Sequence, residues 1–142
     1  MSRFGFGVVG TGMIAGVVAD ALARSSKARA VAVSSRSAEK AQRFVADRPG
    51  VAAVQGWEAL LARDDVDAVY VATPTVAKEE IALAAVAAGK HVLVDKPFLD
   101  RDSVERMARA AREAGVVFMD ATHFVHHPRT AAILADVDRV GV

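Results

Sequence analysis

A chain of 142 residues, 53% of them hydrophobic, is long enough to build one globular domain around its own core, which argues against disorder. Eighteen basic against 17 acidic residues leave a net charge of +1, too weak a field to select nucleic acid or an anionic membrane as a partner. The lack of cysteine excludes disulfides and thiolate metal sites and permits a reducing compartment. The N-terminus shows neither a basic leader nor a small-residue cleavage site, so a cytoplasmic protein is expected.

The first predicted element is a short apolar strand from Phe4, which stops at Gly10-Thr11-Gly12. A Gly-x-Gly pair between a buried strand and a helix lets the backbone turn sharply and approach a pyrophosphate, whose charge rests on free helix N–H groups. Met13 and Ile14 open that helix beside the phosphate, and Ala15 takes the third position of the fingerprint, where a small residue allows close packing on the strand. The Ala- and Val-rich helix runs to Arg24, and Arg29 to Ser34 forms the second strand. Ser37 is placed to cap a helix that reaches about Asp47, before Pro49-Gly50. Ala52 to Gln55 is a short third strand, followed by a helix from Trp57.

Asp67 to Ala72 is the fourth strand, ended by Thr73-Pro74, and a helix covers Ala77 to Ala88 with Gly89 at its end. The apolar stretch Ile81 to Gly89 is too short and too rich in alanine to span a bilayer. His91 to Val94 is a compact fifth strand that stops at Asp95-Lys96-Pro97. Asp102 or Ser103 is expected to cap the next helix, which Gly115 closes. Val116 to Met119 makes a sixth strand, and Pro128 opens a last helix over Arg129 to Asp138. Strands this continuously apolar, alternating with helices, predict an α/β fold of the doubly wound Rossmann type: a parallel sheet with helices on both faces.

In such a sheet ligands gather beyond the C-terminal strand ends. The end of the second strand, about 20 residues after the glycine turn, reads the adenosine ribose, and here it offers Ser34-Ser35-Arg36-Ser37 rather than an acid. NADP is therefore expected in preference to NAD: Arg36 can pair with a 2'-phosphate or stack on adenine, Ser35 can donate a hydrogen bond, and Lys40 adds charge one turn on. The plainer reading makes Arg36 and Lys40 solvated residues at a helix start. Ala72, Thr73 and Pro74 can set backbone groups against the nicotinamide ribose, although proline also ends strands for structural reasons alone. Asp95, Lys96 and Pro97 are the sharper signal, because a lysine fixed at the cleft can donate its proton to a substrate oxygen.

The blocks VVGTGMIA, VSSRSAEKA, VATP and AGKHVLVDKP, in this order, resemble the N-terminal half of the Gfo/Idh/MocA oxidoreductase family. The resemblance implies a Rossmann domain for NAD(P), a separate C-terminal α/β substrate domain, and a family in which homo-oligomers occur. Its Glu-Lys-Pro motif corresponds to Asp95-Lys96-Pro97, which makes Lys96 the catalytic lysine by resemblance. Asp95 is one methylene shorter than the usual glutamate, and Lys78 stands where many members have a histidine. Residues 1–122 are accordingly expected to form the dinucleotide-binding domain and residues 123–142 a C-terminal extension that would lead into the family's substrate domain, which these 142 residues do not include.

Asp120, His123, His126 and His127 have a spacing that tempts a zinc assignment, but their place at a strand exit makes capping, cleft lining or exposure the better expectation, and no metal site is assigned. His91, at the start of a buried strand, reads as structural. The function expected is hydride transfer between nicotinamide and an alcohol or carbonyl carbon of a sugar, polyol or diol. The alternatives are a nucleotide-binding module without turnover and, less consistent with Arg36, a methyltransferase.

Overall fold

The computed structural model describes residues 3–140 and shows a six-stranded sheet in the order β3-β2-β1-β4-β5-β6, parallel throughout. In chain order the elements are β1 (Phe4–Val9), α1 (Met13–Ala23), β2 (Ala28–Ser35), α2 (Ala38–Val45), β3 (Ala52–Gln55), α3 (Trp57–Leu61), β4 (Ala68–Val71) and α4 (Thr75–Ala87). They continue with β5 (His91–Val94), α5 (Arg101–Ala114), β6 (Phe118–Asp120), a 3-10 turn (His123–His126) and α6 (Pro128–Val140). The strand order reverses between β1 and β4, and this switch point opens a crevice at the C-terminal strand ends.

Each face of the sheet buries its own apolar cluster. On one face Ala15 and Leu22 of α1 pack against Val8, Val33 and Tyr70, with Phe44 and Val45 of α2 alongside. On the other, Leu60 and Leu61 of α3, Ile81, Ala82, Ala85 and Val86 of α4, and Met107 and Ala111 of α5 cover Val9, Val69, Val71, Val92 and Val94. Burial on both faces explains why these strands carry continuous apolar runs rather than alternating ones. Full burial of Leu60 or Met107 contributes about 2 kcal/mol apiece.

Several local expectations meet their physical reasons here. Ser37 caps α2, its hydroxyl accepting from the Lys40 N–H at 3.3 Å, and Gly115 ends α5 in the left-handed conformation at φ 69°. Helix α5, however, starts earlier than expected: Asp100, not Asp102 or Ser103, is the cap, and its carboxylate accepts from the Ser103 N–H at 2.7 Å. Ser103 is drawn inside instead, at 2% exposure, while Asp102 stays in the first turn where its charge suits the helix dipole. Helix α2 stops at Val45, two residues before Asp47, and α4 begins at Thr75, two before Ala77. Strand β6 begins two residues later and ends one later than its apolar run suggested, pairing Val92 with Phe118 and Val94 with Asp120. His91 is tied into the fold, its Nδ1 accepting from the Val117 N–H at 3.0 Å and its ring stacked on Phe4. Among the described residues no helix is long and apolar enough to cross a membrane.

Candidate functional site

The glycine turn is built by two different glycine requirements. Gly10 adopts φ 118°, its N–H donates to the Ser34 carbonyl at 2.9 Å, and a Cβ there would lie 2.6 Å from the Ala72 carbonyl oxygen. Only glycine fits so close to the end of β4 in that conformation. Gly12, the N-cap of α1, has an ordinary extended backbone, and a Cβ on it would meet nothing within 4 Å. The space it faces is the crevice itself. No side chain caps α1 and no acid stands in its first turn, so the N–H groups of Met13 and Ile14 remain free for an anion.

Beside this turn lies an open groove of about 550 Å³ lined by Thr11, Gly12, Lys40, Arg43 and Phe44. Lys40 and Arg43 bring two exposed cations from α2 to its wall, and Ser37 sets their start by capping that helix. Arg36 is exposed at the end of β2 and is not part of that lining. Ser35 is half-buried, and its hydroxyl accepts from the Ser37 N–H at 3.3 Å while keeping its own proton to donate. Arg43 carries no acidic or glycine signature that would single it out in the sequence. Its one usable signal is helical spacing, three residues after Lys40 on the same side of α2.

Across the switch point several polar groups are buried, unlike the cations of the groove. The Thr73 hydroxyl is enclosed without a hydrogen-bond partner, directly after β4, and Pro74 is the N-cap of α4. Asp95 is 9% exposed after β5, with Oδ1 unpartnered, and Tyr70 is 1% exposed with its hydroxyl unpartnered. The two groups are near enough for the Asp95 carboxylate to act on the Tyr70 hydroxyl. Burial, reinforced by the Asp95 carboxylate, pushes the Tyr70 hydroxyl far above its usual ionisation range.

Lys78 is the residue here whose placement sequence reasoning missed. It is 3% exposed in the first turn of α4, and its ammonium donates to the Pro97 carbonyl at 2.9 Å. Burial lowers its proton affinity, the Asp95 carboxylate opposes that shift, and the Lys96 charge adds to it. Its signal was helical spacing again: Lys78 shares a stripe with Ile81, Ala82 and Ala85, all buried. Lys96 and Pro97, joined by a cis peptide, are exposed at the strand end. Thus Gly10, Thr11, Gly12, Ala72, Thr73, Pro74, Asp95, Lys96 and Pro97 all lie at the C-terminal ends of β1, β4 and β5, with Met13 and Ile14 opening α1 beside them.

The histidines lie apart from this arrangement. His123, His126 and His127 are exposed in the 3-10 turn and just after it, and His127 accepts from the Arg129 N–H at 3.1 Å. Asp120 accepts from the Thr122 N–H at 2.9 Å, a local turn rather than a ligand geometry. Among the described residues no three histidine or acidic side chains stand close enough to share a metal ion.

Residues 4–122 match the profile of the Gfo/Idh/MocA family, described as an oxidoreductase family with an NAD-binding Rossmann fold. The chain belongs to that family. It is 45% identical over 113 residues to a dTDP-3,4-didehydro-2,6-dideoxy-alpha-D-glucose 3-reductase of Actinomadura kijaniata, an alignment covering 78% of this chain and 34% of the relative. Against the scyllo-inositol 2-dehydrogenase (NADP(+)) of Bacillus subtilis it is 33% identical, covering 96% of this chain and 42% of that protein. Among solved structures, a 3-ketoreductase from Actinomadura kijaniata in complex with NADP superposes with a TM-score of 0.90 at 39% identity, covering 97% of this chain and 44% of that one. A protein of gentamicin A biosynthesis in complex with NAD gives 0.87 at 34% identity, with coverages of 97% and 40%. The chain thus spans less than half the length of the curated relatives it matches.

Proposed function

We propose that this chain is the NADP-binding part of an oxidoreductase that moves a hydride between nicotinamide and the alcohol or carbonyl carbon of a sugar, polyol or diol. The observation that carries the reading is the pairing, across one switch point, of a groove lined by Lys40 and Arg43 beside the glycine turn with a lysine turn at the end of β5. The residues fit the cofactor: Gly12 leaves space open above free helix N–H groups, and the Thr73 hydroxyl awaits a partner. When bound, the nicotinamide supplies or takes up the hydride.

The chain's own groups do the remaining work. The N–H groups opening α1 hold pyrophosphate charge, and Arg36, Lys40 and Arg43 favour a 2'-phosphate over free ribose hydroxyls. Lys96 gives a proton from Nζ to the carbonyl oxygen in reduction and takes it back in oxidation. Relatives named as a sugar 3-reductase and an NADP-dependent inositol dehydrogenase support this substrate class. In this reading residues 1–122 bind the dinucleotide and residues 123–142 lead toward the substrate-binding portion.

Titration with NADPH and NADH tests it. NADPH should bind more tightly, and Arg36→Ala should weaken NADPH about tenfold while changing NADH little. Equal losses for both cofactors would refute the NADP assignment, and absence of binding to either would overturn the reading.

A further inference from the structure

We infer that Lys78 is a positioning residue, which holds the Asp95-Lys96-Pro97 turn in register from beneath so that Lys96 alone faces the crevice. The inference rests on the cofactor-binding reading above and goes beyond it, since Lys78 itself is shut off from the crevice at 3% exposure.

Its location is an unfavourable one for a lysine. The first turn of α4 carries the positive end of the helix dipole, and burial strips the ammonium of water. Both effects oppose a cation, and burial lowers its proton affinity accordingly. What offsets them is local to one turn. The ammonium donates to the Pro97 carbonyl at 2.9 Å, nineteen residues away in sequence, and the Asp95 carboxylate favours its charged form. Lys78 therefore holds the residue after Lys96 by its carbonyl, while the Asp95 carboxylate, without a direct ion pair to it, favours its charge.

The turn has few other anchors. The Asp95 N–H donates to the Val71 carbonyl at 3.0 Å, which fixes the turn where it leaves β5. Past that point Pro97 has no N–H to give, and its carbonyl is held by Lys78. The neighbouring helix α5 is fastened to α4 separately, through the Arg106 guanidinium on the Glu79 carboxylate, so Lys78 is not needed to join the two helices. Its one long-range hydrogen bond goes to the lysine turn.

The test exploits the two ends of the cofactor. NADPH reaches both the basic groove and the lysine turn, whereas 2',5'-ADP carries the adenosine and 2'-phosphate but no nicotinamide. Lys78→Met, similar in length but without donor or charge, should weaken NADPH about tenfold and leave 2',5'-ADP within twofold of the wild type. The ratio of the two affinities is the decisive quantity. A variant that is merely less folded loses apparent affinity for both ligands by the same factor, so its ratio does not move. Lys78→Arg, which keeps a donor and a charge, should bring the ratio back toward the wild type. Should Lys78→Met fail to fold, Lys78→Gln is read by the same ratio.

An unchanged ratio in the Met or Gln variant would overturn the positioning role while leaving the cofactor reading intact. If wild-type protein bound neither NADPH nor 2',5'-ADP, the cofactor reading itself would fail.

Discussion

The two sides of the crevice solve their tasks with opposite physics. On the β2 and α2 side, Arg36, Lys40 and Arg43 are exposed, and the Arg43–Glu39 pair at 3.6 Å is solvated enough to contribute little. On the β4 and β5 side, Lys78, Asp95, Tyr70 and the Thr73 hydroxyl are enclosed, and three of these carry atoms without a hydrogen-bond partner. Exposed cations stay hydrated and can adapt to an arriving phosphate, so they cost folding almost nothing and their attraction is screened by salt. Buried polar groups are expensive unless satisfied, and they hold one geometry. The contrast suits a ligand anchored by charge at one end and oriented for chemistry at the other.

Gly10 joins the two sides, so breaking it has the largest expected effect. Its N–H is bound to Ser34 at the end of β2, and its Cα faces Ala72 at the end of β4. Gly10→Val combines a left-handed backbone with a clash against a carbonyl, and should destabilise the fold by about 3 kcal/mol in urea denaturation. Gly12→Ala separates binding from folding. With open space around its Cβ, stability should fall by about 1 kcal/mol at most, the difference between glycine and alanine as a cap. NADPH affinity should nevertheless fall about 100-fold, because the methyl group occupies the approach of the pyrophosphate. If Gly12→Ala instead lost stability and kept affinity, the open space at the helix end would not be a ligand site.

Next in size is the exposed side taken alone. Lys40→Ala and Arg43→Ala together should weaken NADPH about tenfold and leave the urea midpoint within about 0.5 kcal/mol of the wild type. Raising salt should weaken NADPH in the wild type and do so less in the double variant, as expected for solvated charges. A salt response identical in both proteins would mean that these cations do not meet the ligand.

How far the sequence reveals this site depends on which physical signal each residue leaves. The strands β3 and β5 coincide with their predicted bounds, since turn-forming residues punctuate short apolar runs: Pro49-Gly50 before β3, Gly56 after it, and Gly89 before β5. The glycine turn and the lysine turn are legible for the same reason. The cap of α5 is not, because Asp100, Asp102 and Ser103 are all good caps and tertiary packing chose among them by burying Ser103. The edge strand β6 was misplaced because its apolar residues, Val116 to Met119, only partly coincide with those that pair with β5. Lys78 was hidden by its chemistry: lysine is so regularly solvent-facing that composition outweighs the helical stripe it shares with Ile81 and Ala85. Its partner, the Pro97 carbonyl, is a backbone atom and leaves no trace in the sequence at all.

The smallest effect at neutral pH isolates the buried side. The Tyr70 hydroxyl is buried beside the Asp95 carboxylate, so Tyr70→Phe removes a desolvation cost together with the attraction between the two groups, and should change stability at pH 7 by about 1 kcal/mol or less. Alkaline pH enlarges the difference. An unfolded chain releases the tyrosine proton near the usual value of 10.0, whereas burial and then the Asp95 charge keep it bound in the folded state well above that. Above pH 10 the folded state therefore holds more protons than the unfolded one, and stability must fall as pH rises, by up to about 1.4 kcal/mol per pH unit from this group. Lys78 acts with the opposite sign just below. Its lowered proton affinity means that the folded state binds fewer protons than the unfolded, so stability rises with pH until the usual lysine value of 10.5. In wild-type protein the two slopes compete and the alkaline fall dominates only past that value. Tyr70→Phe should remove the fall and leave the rise from Lys78, and Lys78→Met should do the reverse, both measured by urea denaturation between pH 8 and about pH 11. An alkaline limb that survives Tyr70→Phe unchanged would mean that the hydroxyl ionises freely, and the buried side would then be as open to water as the basic one.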